Sequence, residues 1–212
     1  MFEQVMTYFQ NNYESYLSLV MQHITISVTS LIVSVIIGVS AGILSVKYKK
    51  TQKSLITLFQ TLRIIPSLAI LLILLPIMGT GIRPAMTALI LLAIPSILIN
   101  TIVGLEEVPY FVLETAYGLG MTNFQVWRKV RIPLALPMIL TGIKTSAIEI
   151  IASATLAAKI GAGGLGEIIF TGLGLYRFDL LLIGGLSVAL LSISAGLIAT
   201  LLDRLFLRYK TI

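Results

Sequence analysis

Five apolar segments alternate along the chain with polar or glycine-rich stretches. They cover approximately residues 23–46, 64–78, 84–105, 137–158 and 180–202. A membrane-spanning helix needs about 20 predominantly apolar residues. The second segment reaches that length only if residues 54–63 extend it as one tilted helix. The pattern therefore predicts an all-α integral membrane protein with about five transmembrane helices.

The first apolar segment carries small residues at four-residue spacing, namely Ser34, Gly38 and Gly42. Such a spacing forms a face along which a second helix can approach closely. We expect this face to pack against another helix of the same chain.

The two ends of the chain differ from the apolar segments. Residues 1–20 are polar and aromatic, which favours an amphipathic segment at the membrane interface, where tyrosine rings are enriched. The N-terminus has no basic region, so we expect no cleavable signal peptide. The predicted organisation is an interfacial segment over 1–20, a transmembrane domain over 21–205 and a cytoplasmic tail over 206–212.

The longest polar interruption, residues 106–137, separates the third and fourth apolar segments. Pro109 suits the first position of a helix, because the amide hydrogen that it lacks would be unpaired there. That helix can run to about Leu119, and Gly120 then suits a left-handed helix stop.

A second short helix is predicted after this glycine. Thr122 and Gln125 have the spacing of a capping box. The helix should end before Pro133, because a proline disfavours helical geometry in the preceding residue. Local chemistry thus fits a helix–glycine–helix elbow, and it fits equally well an ordinary polar loop between two membrane spans.

Composition excludes several classes of protein. Hydrophobic residues make up 57% of the chain and charged residues 11%, whereas soluble domains carry about 25% charged residues. The chain has no cysteine and one histidine, which excludes a disulfide framework, a thiol nucleophile and a multi-histidine metal site. We expect the net charge of +6 to reflect topology and contact with anionic membrane lipid rather than with nucleic acid.

Basic residues are distributed unequally between the two sides of the predicted bundle. One side has Lys47, Lys49, Lys50 and Lys53 after the first span, Arg128, Lys129 and Arg131 in the elbow, and Arg204, Arg208 and Lys210 at the C-terminus. The other side has only Arg83, Lys159 and Arg177. The positive-inside rule therefore predicts that the elbow and the C-terminus are cytoplasmic and that the N-terminus is outside.

Two charged residues fall within the fourth apolar segment. Glu149 would lie near the middle of the bilayer, where a charge is costly, so it is a functional candidate facing the bundle interior. The alternative is a structural glutamate held by Thr145 or Ser153 on its own face. Lys144 is five residues away, which is not a same-face spacing, and it could extend toward the cytoplasmic surface. Arg63 is expected at the cytoplasmic end of the second span.

A glycine-rich run follows the fourth apolar segment and formally matches a dinucleotide-binding fingerprint through Gly161, Gly163, Gly164 and Gly166. That fingerprint requires a strand before it and a helix after it, whereas a membrane helix precedes this run. No Walker A sequence is present either. We interpret the glycines as a tight connection that allows close backbone packing, with a candidate role beside a translocation path together with Glu149 and Lys144.

The elbow resembles a motif of one transporter superfamily. The pattern E-A-A, three residues, G, nine residues, I-x-L-P of the membrane subunits of ATP-binding cassette importers is similar to Glu114-Thr115-Ala116, Gly120 and Val130-Arg131-Ile132-Pro133. Three positions depart from that pattern, and each keeps roughly the same size or polarity. The resemblance implies a type I importer fold, in which the elbow is a cytoplasmic coupling helix that docks on an ATPase. The implied coupling residues are Glu114, Thr115, Ala116, Gly120, Met121, Thr122 and Phe124.

Further runs resemble the permease subunits of glycine betaine/carnitine/choline importers of Gram-positive bacteria. These runs are residues 63–69, 118–122, 133–137, 142–146 and 160–166. The resemblance implies a cell-membrane protein that works with a second permease subunit, identical or paralogous, with a pair of ATPase subunits and with an extracytoplasmic solute-binding protein. It also implies that ATP and magnesium bind to the ATPase, so this chain would be no enzyme and would hold no cofactor.

The sequence leaves three alternative functions open. Methionine importers share the five-span plan and the glycine run. A self-contained channel or secondary transporter would show an internal repeat or a clear polar site at mid-membrane, and neither is apparent in the sequence. A scaffold protein with no transport role is the third alternative.

Aromatic residues cluster near the predicted surfaces, at residues 2–16, 110–127 and 170–178. Quaternary ammonium groups are recognised by aromatic cages, so specificity should reside in a separate solute-binding protein. On the outer side Glu167, Tyr176 and Asp179 are either docking or gating residues or solvated loop residues. Trp127 in the elbow is either a membrane-interface anchor or a contact to the ATPase.

Overall fold

The computed structural model describes residues 2–206, and this part of the chain is helical without any strand. The helices are α1 (Phe2–Lys47), α2 (Lys49–Leu62), α3 (Ser67–Met78), α4 (Ile82–Glu106), α5 (Tyr110–Gly118), α6 (Asn123–Val126), α7 (Ile132–Ala157), α8 (Gly166–Gly174) and α9 (Phe178–Phe206). A π-helical turn, Trp127–Arg131, joins α6 to α7, and a 3₁₀ turn, Ala158–Ile160, follows α7. The predicted tail begins at Phe206, which ends α9, and the rest of the tail, including Arg208 and Lys210, lies outside the described residues.

Four helical segments are long and apolar enough to cross a membrane. They are Phe2–Lys47, Ile82–Glu106, Asn123–Ile160 and Phe178–Leu205. The pair formed by Gln52–Leu62 and Ser67–Met78 counts as a fifth span if the two helices are taken together. The predicted all-α membrane fold with about five spans is confirmed.

The second span is not the single tilted helix that we expected. Its two helices are bent by 94°. Pro66 stands immediately before α3 in an extended conformation, with φ −58° and ψ 139°. Because proline lacks an amide hydrogen and disfavours helical geometry in the residue before it, this position favours a break between α2 and α3. With 12 residues, α3 is about 18 Å long and cannot cross a hydrocarbon core of about 30 Å alone. Arg63 lies at this bend, between the two helices.

The bundle centre is formed by α1, α4 and α7, and small residues allow α1 and α4 to approach closely. A Cβ atom on Gly38 would lie 2.9 Å from the Cβ of Ile97, and one on Gly42 would lie 2.7 Å from the Cβ of Thr101. Real Cβ contacts are almost never this short, so these positions require glycine. The predicted small-residue face therefore packs within the chain, as expected.

The N-terminal residues continue directly into the first span. The helix breaks at Asn12, where φ is −129° and ψ is 19°, and no break occurs near the predicted boundary at residue 20. Phe9 and Tyr16 form an edge-to-face pair with ring centroids 5.0 Å apart, and they pack against the cluster of α8 and α9 that contains Leu165 and Ile183. This packing is a tertiary contact, while the location of residues 1–20 at the membrane interface stays a prediction.

The connections gather at two opposite ends of the bundle. At one end Gln52 donates a hydrogen bond of 2.7 Å to Glu106, so the start of α2 lies beside the end of α4. At the other end the Gly81 amide donates to the Ile160 carbonyl at 2.7 Å. The lysine-rich segment after α1 and the elbow therefore share one end, as the charge distribution predicts. Which end faces the cytoplasm stays a prediction.

Candidate functional site

The elbow turns at Gly120, whose φ of +80° lies in the left-handed region. The Met121 amide donates to the Ala116 carbonyl at 3.2 Å, and the Gly120 amide donates to the Tyr117 carbonyl at 2.9 Å. These two bonds are the Schellman arrangement, which pairs the last carbonyls of a helix. The predicted glycine stop is thus confirmed, with α5 ending at Gly118 and Pro109 standing one position before its first residue.

The predicted capping box is also confirmed. The Gln125 amide donates to the Thr122 hydroxyl at 3.3 Å, and the Thr122 amide donates to the Gln125 side chain at 2.8 Å. The Tyr117 hydroxyl donates to the Asn123 side chain at 2.9 Å and ties the two elbow helices together. Among the described residues the Glu114 side chain has no hydrogen-bonding or ionic partner, so the hinge is held by backbone bonds, the capping box and Tyr117.

The second elbow helix does not end before Pro133. After α6 the chain passes through the π-helical turn into α7, so that Asn123–Ile160 forms one continuous helical segment of 38 residues. Ile132 remains helical, with φ −63° and ψ −47°, and its amide bonds to the Trp127 carbonyl five residues earlier. The wider turn provides the space that the proline ring would lack in a regular helix, and Pro133 falls in the first turn of α7. The second elbow helix is therefore continuous with the fourth span.

The elbow presents apolar side chains to its surroundings. Phe124 is 71% exposed and Leu119 is 78% exposed, while Met121 is half-buried. Glu114, Thr115 and Thr122 are exposed, and Ala116 is buried beneath them. Exposed aromatic and aliphatic groups on a polar segment are typical of a protein-binding surface. The sequence-predicted coupling residues thus lie on one elbow, with all but Ala116 accessible to some degree.

Trp127 joins the elbow to the bundle. Its ring packs against the core cluster that contains Val46 and Leu105, and the Arg131 guanidinium lies 4.8 Å from the ring centroid. Arg131 also donates to the Leu105 carbonyl at 3.1 Å. Trp127 and Arg131, together with Val46, Lys47 and Phe124, line a groove of about 670 Å³. Trp127 therefore packs at the base of the elbow, and its expected role as a membrane-interface anchor or as a contact to the ATPase stays a prediction.

The two charged residues of α7 have partners on different helices. The Ser96 hydroxyl of α4 donates to the Glu149 carboxylate at 3.5 Å, and the Lys144 ammonium donates to the Thr200 hydroxyl of α9 at 2.7 Å. The expectation that the two side chains do not pair is confirmed. Glu149 is not held by Thr145, because that hydroxyl donates to the Thr141 carbonyl one turn earlier. Nor does Ser153 hold it.

The glycine run makes a tight connection at the opposite end of the bundle. Gly161, Gly163 and Gly164 all have positive φ, between 77° and 81°. The Gly164 amide donates to the Gln22 side chain at 3.2 Å, and a Cβ on Gly163 would lie 2.3 Å from the same oxygen. A Cβ on Gly166 would lie 2.0 Å from the Thr155 carbonyl oxygen. The packing interpretation of these glycines is confirmed.

The outer-side residues separate into two kinds. Asp179 is 3% exposed and forms an ion pair with Arg177, so it is no solvated loop residue. Its hydrogen bond raises the pKa of the Arg177 guanidinium, which stays charged. Glu167 and Tyr176 are exposed, and Tyr176 adopts a left-handed conformation with φ of 55°. Within residues 2–206 no cluster of acidic or histidine side chains is arranged to hold a metal ion.

The sequence matches a family model for the inner membrane component of binding-protein-dependent transport systems over residues 34–208. The chain belongs to this family. The match includes the elbow, Glu149 and the glycine run. The family is one of transport permeases, and a subunit of this kind is a multi-pass membrane protein.

Two curated relatives show the similarity within this permease family. The carnitine transport permease protein OpuCB of Listeria monocytogenes is 41% identical over 191 residues, which is 90% of this chain and 88% of that protein. The glycine betaine/carnitine/choline transport system permease protein OpuCB of Bacillus subtilis is 37% identical, covering 95% of this chain and 93% of that protein.

The fold is shared with solved permeases. One chain of the MetNI methionine ABC transporter superimposes with a TM-score of 0.78 at 20% identity, over 90% of this chain and 95% of that chain. An amino acid ABC transporter crystallised with histidines superimposes with a TM-score of 0.76 at 20% identity, over 92% and 96%. At this identity the likeness concerns the fold alone.

Sequence reasoning missed several residues around the candidate site. Ser96, Thr200 and Gln22 each bind a candidate residue from a distant part of the chain. His23 is buried beside Gly164, with one ring nitrogen bonded to the Ile151 carbonyl at 3.0 Å. The sequence could have drawn attention to these residues, because polar residues are unusual in or beside an apolar segment. It could not identify their partners, because these depend on how the permease helices pack.

Proposed function

We propose that this permease is the membrane-spanning subunit of an ATP-driven importer that moves small quaternary-amine osmolytes across the cell membrane. The observation that carries this proposal is the elbow, whose left-handed turn at Gly120 holds Phe124 exposed at the lysine-rich end of the bundle. A cytoplasmic ATPase pair docks on this surface and binds ATP and magnesium. This chain has no Walker A loop, so it transmits movement and performs no hydrolysis.

The continuous helix from the elbow into the bundle supports a coupling mechanism. Asn123–Ile160 has 38 residues and is about 57 Å long. A displacement of the elbow by the ATPase therefore moves α7 as a rigid body, and α7 carries Glu149 and Lys144 on its way to the glycine run. These two residues, with Gly161, Gly163, Gly164 and Gly166, are the proposed translocation and gating residues. The coupling residues are Glu114, Thr115, Ala116, Gly120, Met121, Thr122 and Phe124.

The proposed substrates are glycine betaine, carnitine and choline. Two permeases named for these solutes are similar over nearly the whole chain, which favours them over methionine. The methionine transporter supports only the fold. The spans are nearly free of aromatic residues, so an extracytoplasmic solute-binding protein supplies the aromatic cage. A second permease subunit completes the pathway, with the N-terminus outside, the C-terminus in the cytoplasm, and the cell membrane of a Gram-positive bacterium as the setting.

Uptake by cells tests the substrate class. Cells with and without the gene are compared at high osmolarity for uptake of labelled glycine betaine, carnitine, choline and methionine. We expect cells without the gene to lose uptake of the quaternary amines. Loss of methionine uptake alone would overturn the substrate class while leaving the importer function in place. Purification tests the importer class, because an importer subunit brings an ATPase with it and a channel conducts alone.

A further inference from the structure

Two opposite charges lie near each other at the bend of the second span. Arg63 stands between α2 and α3, and its guanidinium interacts electrostatically with the Glu149 carboxylate of α7. They do not form a direct ion pair, because the ion pair found among residues 2–206 joins Arg177 to Asp179. The two charges therefore lie near each other without direct contact.

The depth of the two residues agrees with this placement. The outer ends of the helices are tied at one level by the bond between Gly81 and Ile160. From that level α3 descends about 18 Å to its first residue at the bend, and α7 descends about 17 Å from Ile160 to Glu149. Ile65 of the bend also packs against the hydrophobic cluster that contains Ile150.

Neighbouring side chains among the described residues do not neutralise either charge, so both charges are available to bind a substrate. Glu149 is half-buried, and within the part of the chain that the structure describes its side chain has one weak hydrogen-bonding partner, the Ser96 hydroxyl at 3.5 Å. Arg63 is exposed. Lys144, the nearest cation on α7, is engaged with Thr200 of α9. The N-terminus of α3 follows the bend, and a helix N-terminus stabilises a negative charge. In transporters, broken helices near mid-membrane commonly form substrate sites.

We infer that Glu149 and Arg63 form a transient binding site for a zwitterionic quaternary amine within the membrane. The trimethylammonium group lies at the Glu149 carboxylate, and the substrate carboxylate lies at Arg63 and the start of α3. This inference rests on the proposed function and adds residues that distinguish among its substrates. Glycine betaine and carnitine carry both charges, whereas choline carries only the positive one.

Electrostatics explains why such a site favours a zwitterion. An isolated charge within the membrane is costly, and neither of the two residues has a direct ionic partner among residues 2–206. A zwitterion neutralises both at once and loses its own hydration in exchange. A cation such as choline interacts only with Glu149 and leaves Arg63 without a new partner.

Two variants test the inference by comparing glycine betaine with choline. Initial uptake rates are measured in cells that express the complete importer and have no other osmolyte uptake system. Arg63→Gln is expected to raise KM for glycine betaine about tenfold while choline changes less than about twofold, since one charged hydrogen bond is lost. Glu149→Gln is expected to weaken uptake of both solutes about tenfold. Arg83→Gln and Glu14→Gln, at exposed positions away from the bend, serve as matched controls and should change neither.

The outcomes separate this inference from the proposed function. If the wild-type importer transports neither solute, the proposed function and the inference both fail. If it transports both and Arg63→Gln affects the two solutes equally, or affects neither, only the inference is overturned. Membrane levels of each variant are compared by immunoblot. Should Arg63→Gln be absent from the membrane, Arg63→Lys decides the question: a selective rise in KM for glycine betaine supports the site, and equal changes overturn it.

Discussion

The Met121 amide donates a hydrogen bond to the Ala116 carbonyl at 3.2 Å, and this bond closes the elbow around Gly120. It requires the left-handed conformation of the intervening glycine, whose φ is +80°. No heavy atom lies within 4 Å of a Cβ built on Gly120, so a side chain there would be opposed by backbone strain alone. The turn can therefore be tested without a steric clash.

We predict that Gly120→Val abolishes uptake without removing the protein from the membrane. A β-branched residue is a conformational outlier at positive φ, so the two elbow helices should lose their relative orientation. Uptake and membrane abundance are measured together. Gly118→Val is the matched control, because Gly118 lies in α5 and also has no neighbour within 4 Å. Normal transport by Gly120→Val would count against the elbow as the coupling element.

Phe124→Ala is expected to weaken attachment of the ATPase. The ring is 71% exposed on the elbow, and buried aromatic anchors at interfaces are worth about 2 kcal/mol or more. The amount of ATPase that purifies with the permease measures the effect. Leu173→Ala removes an exposed apolar side chain from α8 at the opposite end, so it should leave the ATPase attached. Equal retention in both variants would contradict the docking surface.

Gly42→Val should destabilise the permease, because a Cβ at this position would lie 2.7 Å from that of Thr101. Overpacking of this kind typically costs about 1–3 kcal/mol. Thermal denaturation of the detergent-solubilised protein gives the comparison. Gly185→Val is the control, since Gly185 of α9 has no atom within 4 Å of a Cβ. If both variants melt at the wild-type temperature, α1 and α4 do not pack as described.

The purified permease should show no ATPase activity above background, because the chain lacks a Walker A loop. Phosphate release is measured with the permease alone and with the co-purified ATPase as the positive control. Hydrolysis that followed the pure permease through successive purification steps would reject its assignment as a non-enzymatic subunit.

The permease should function as a dimer of membrane subunits, since about five spans and one elbow provide half of a pore. Cross-linking in native membranes detects the pair, and mass spectrometry of the product distinguishes an identical partner from a paralogue. A complex that contains a single permease subunit would refute this prediction.

Local chemistry was sufficient to predict the elbow. The left-handed stop at Gly120 and the capping box of Thr122 depend on residues fewer than six positions apart, so their geometry follows from neighbouring groups. The apolar segments likewise predicted the spans, because the length of an apolar run decides whether a helix can cross a bilayer. Family membership could be inferred from the spacing of the elbow motif.

The tertiary structure decided what local preference could not. The preference that proline imposes on its neighbour predicted a helix end before Pro133, but a π-helical turn carries the helix through, because its wider backbone gives the proline ring room. At Pro66 the same preference was obeyed, and the span bends by 94°. The bend places Arg63 where it interacts electrostatically with Glu149, 86 positions later in the sequence. Sequence alone places each charge on its own segment, and only helix packing determines which charges face each other.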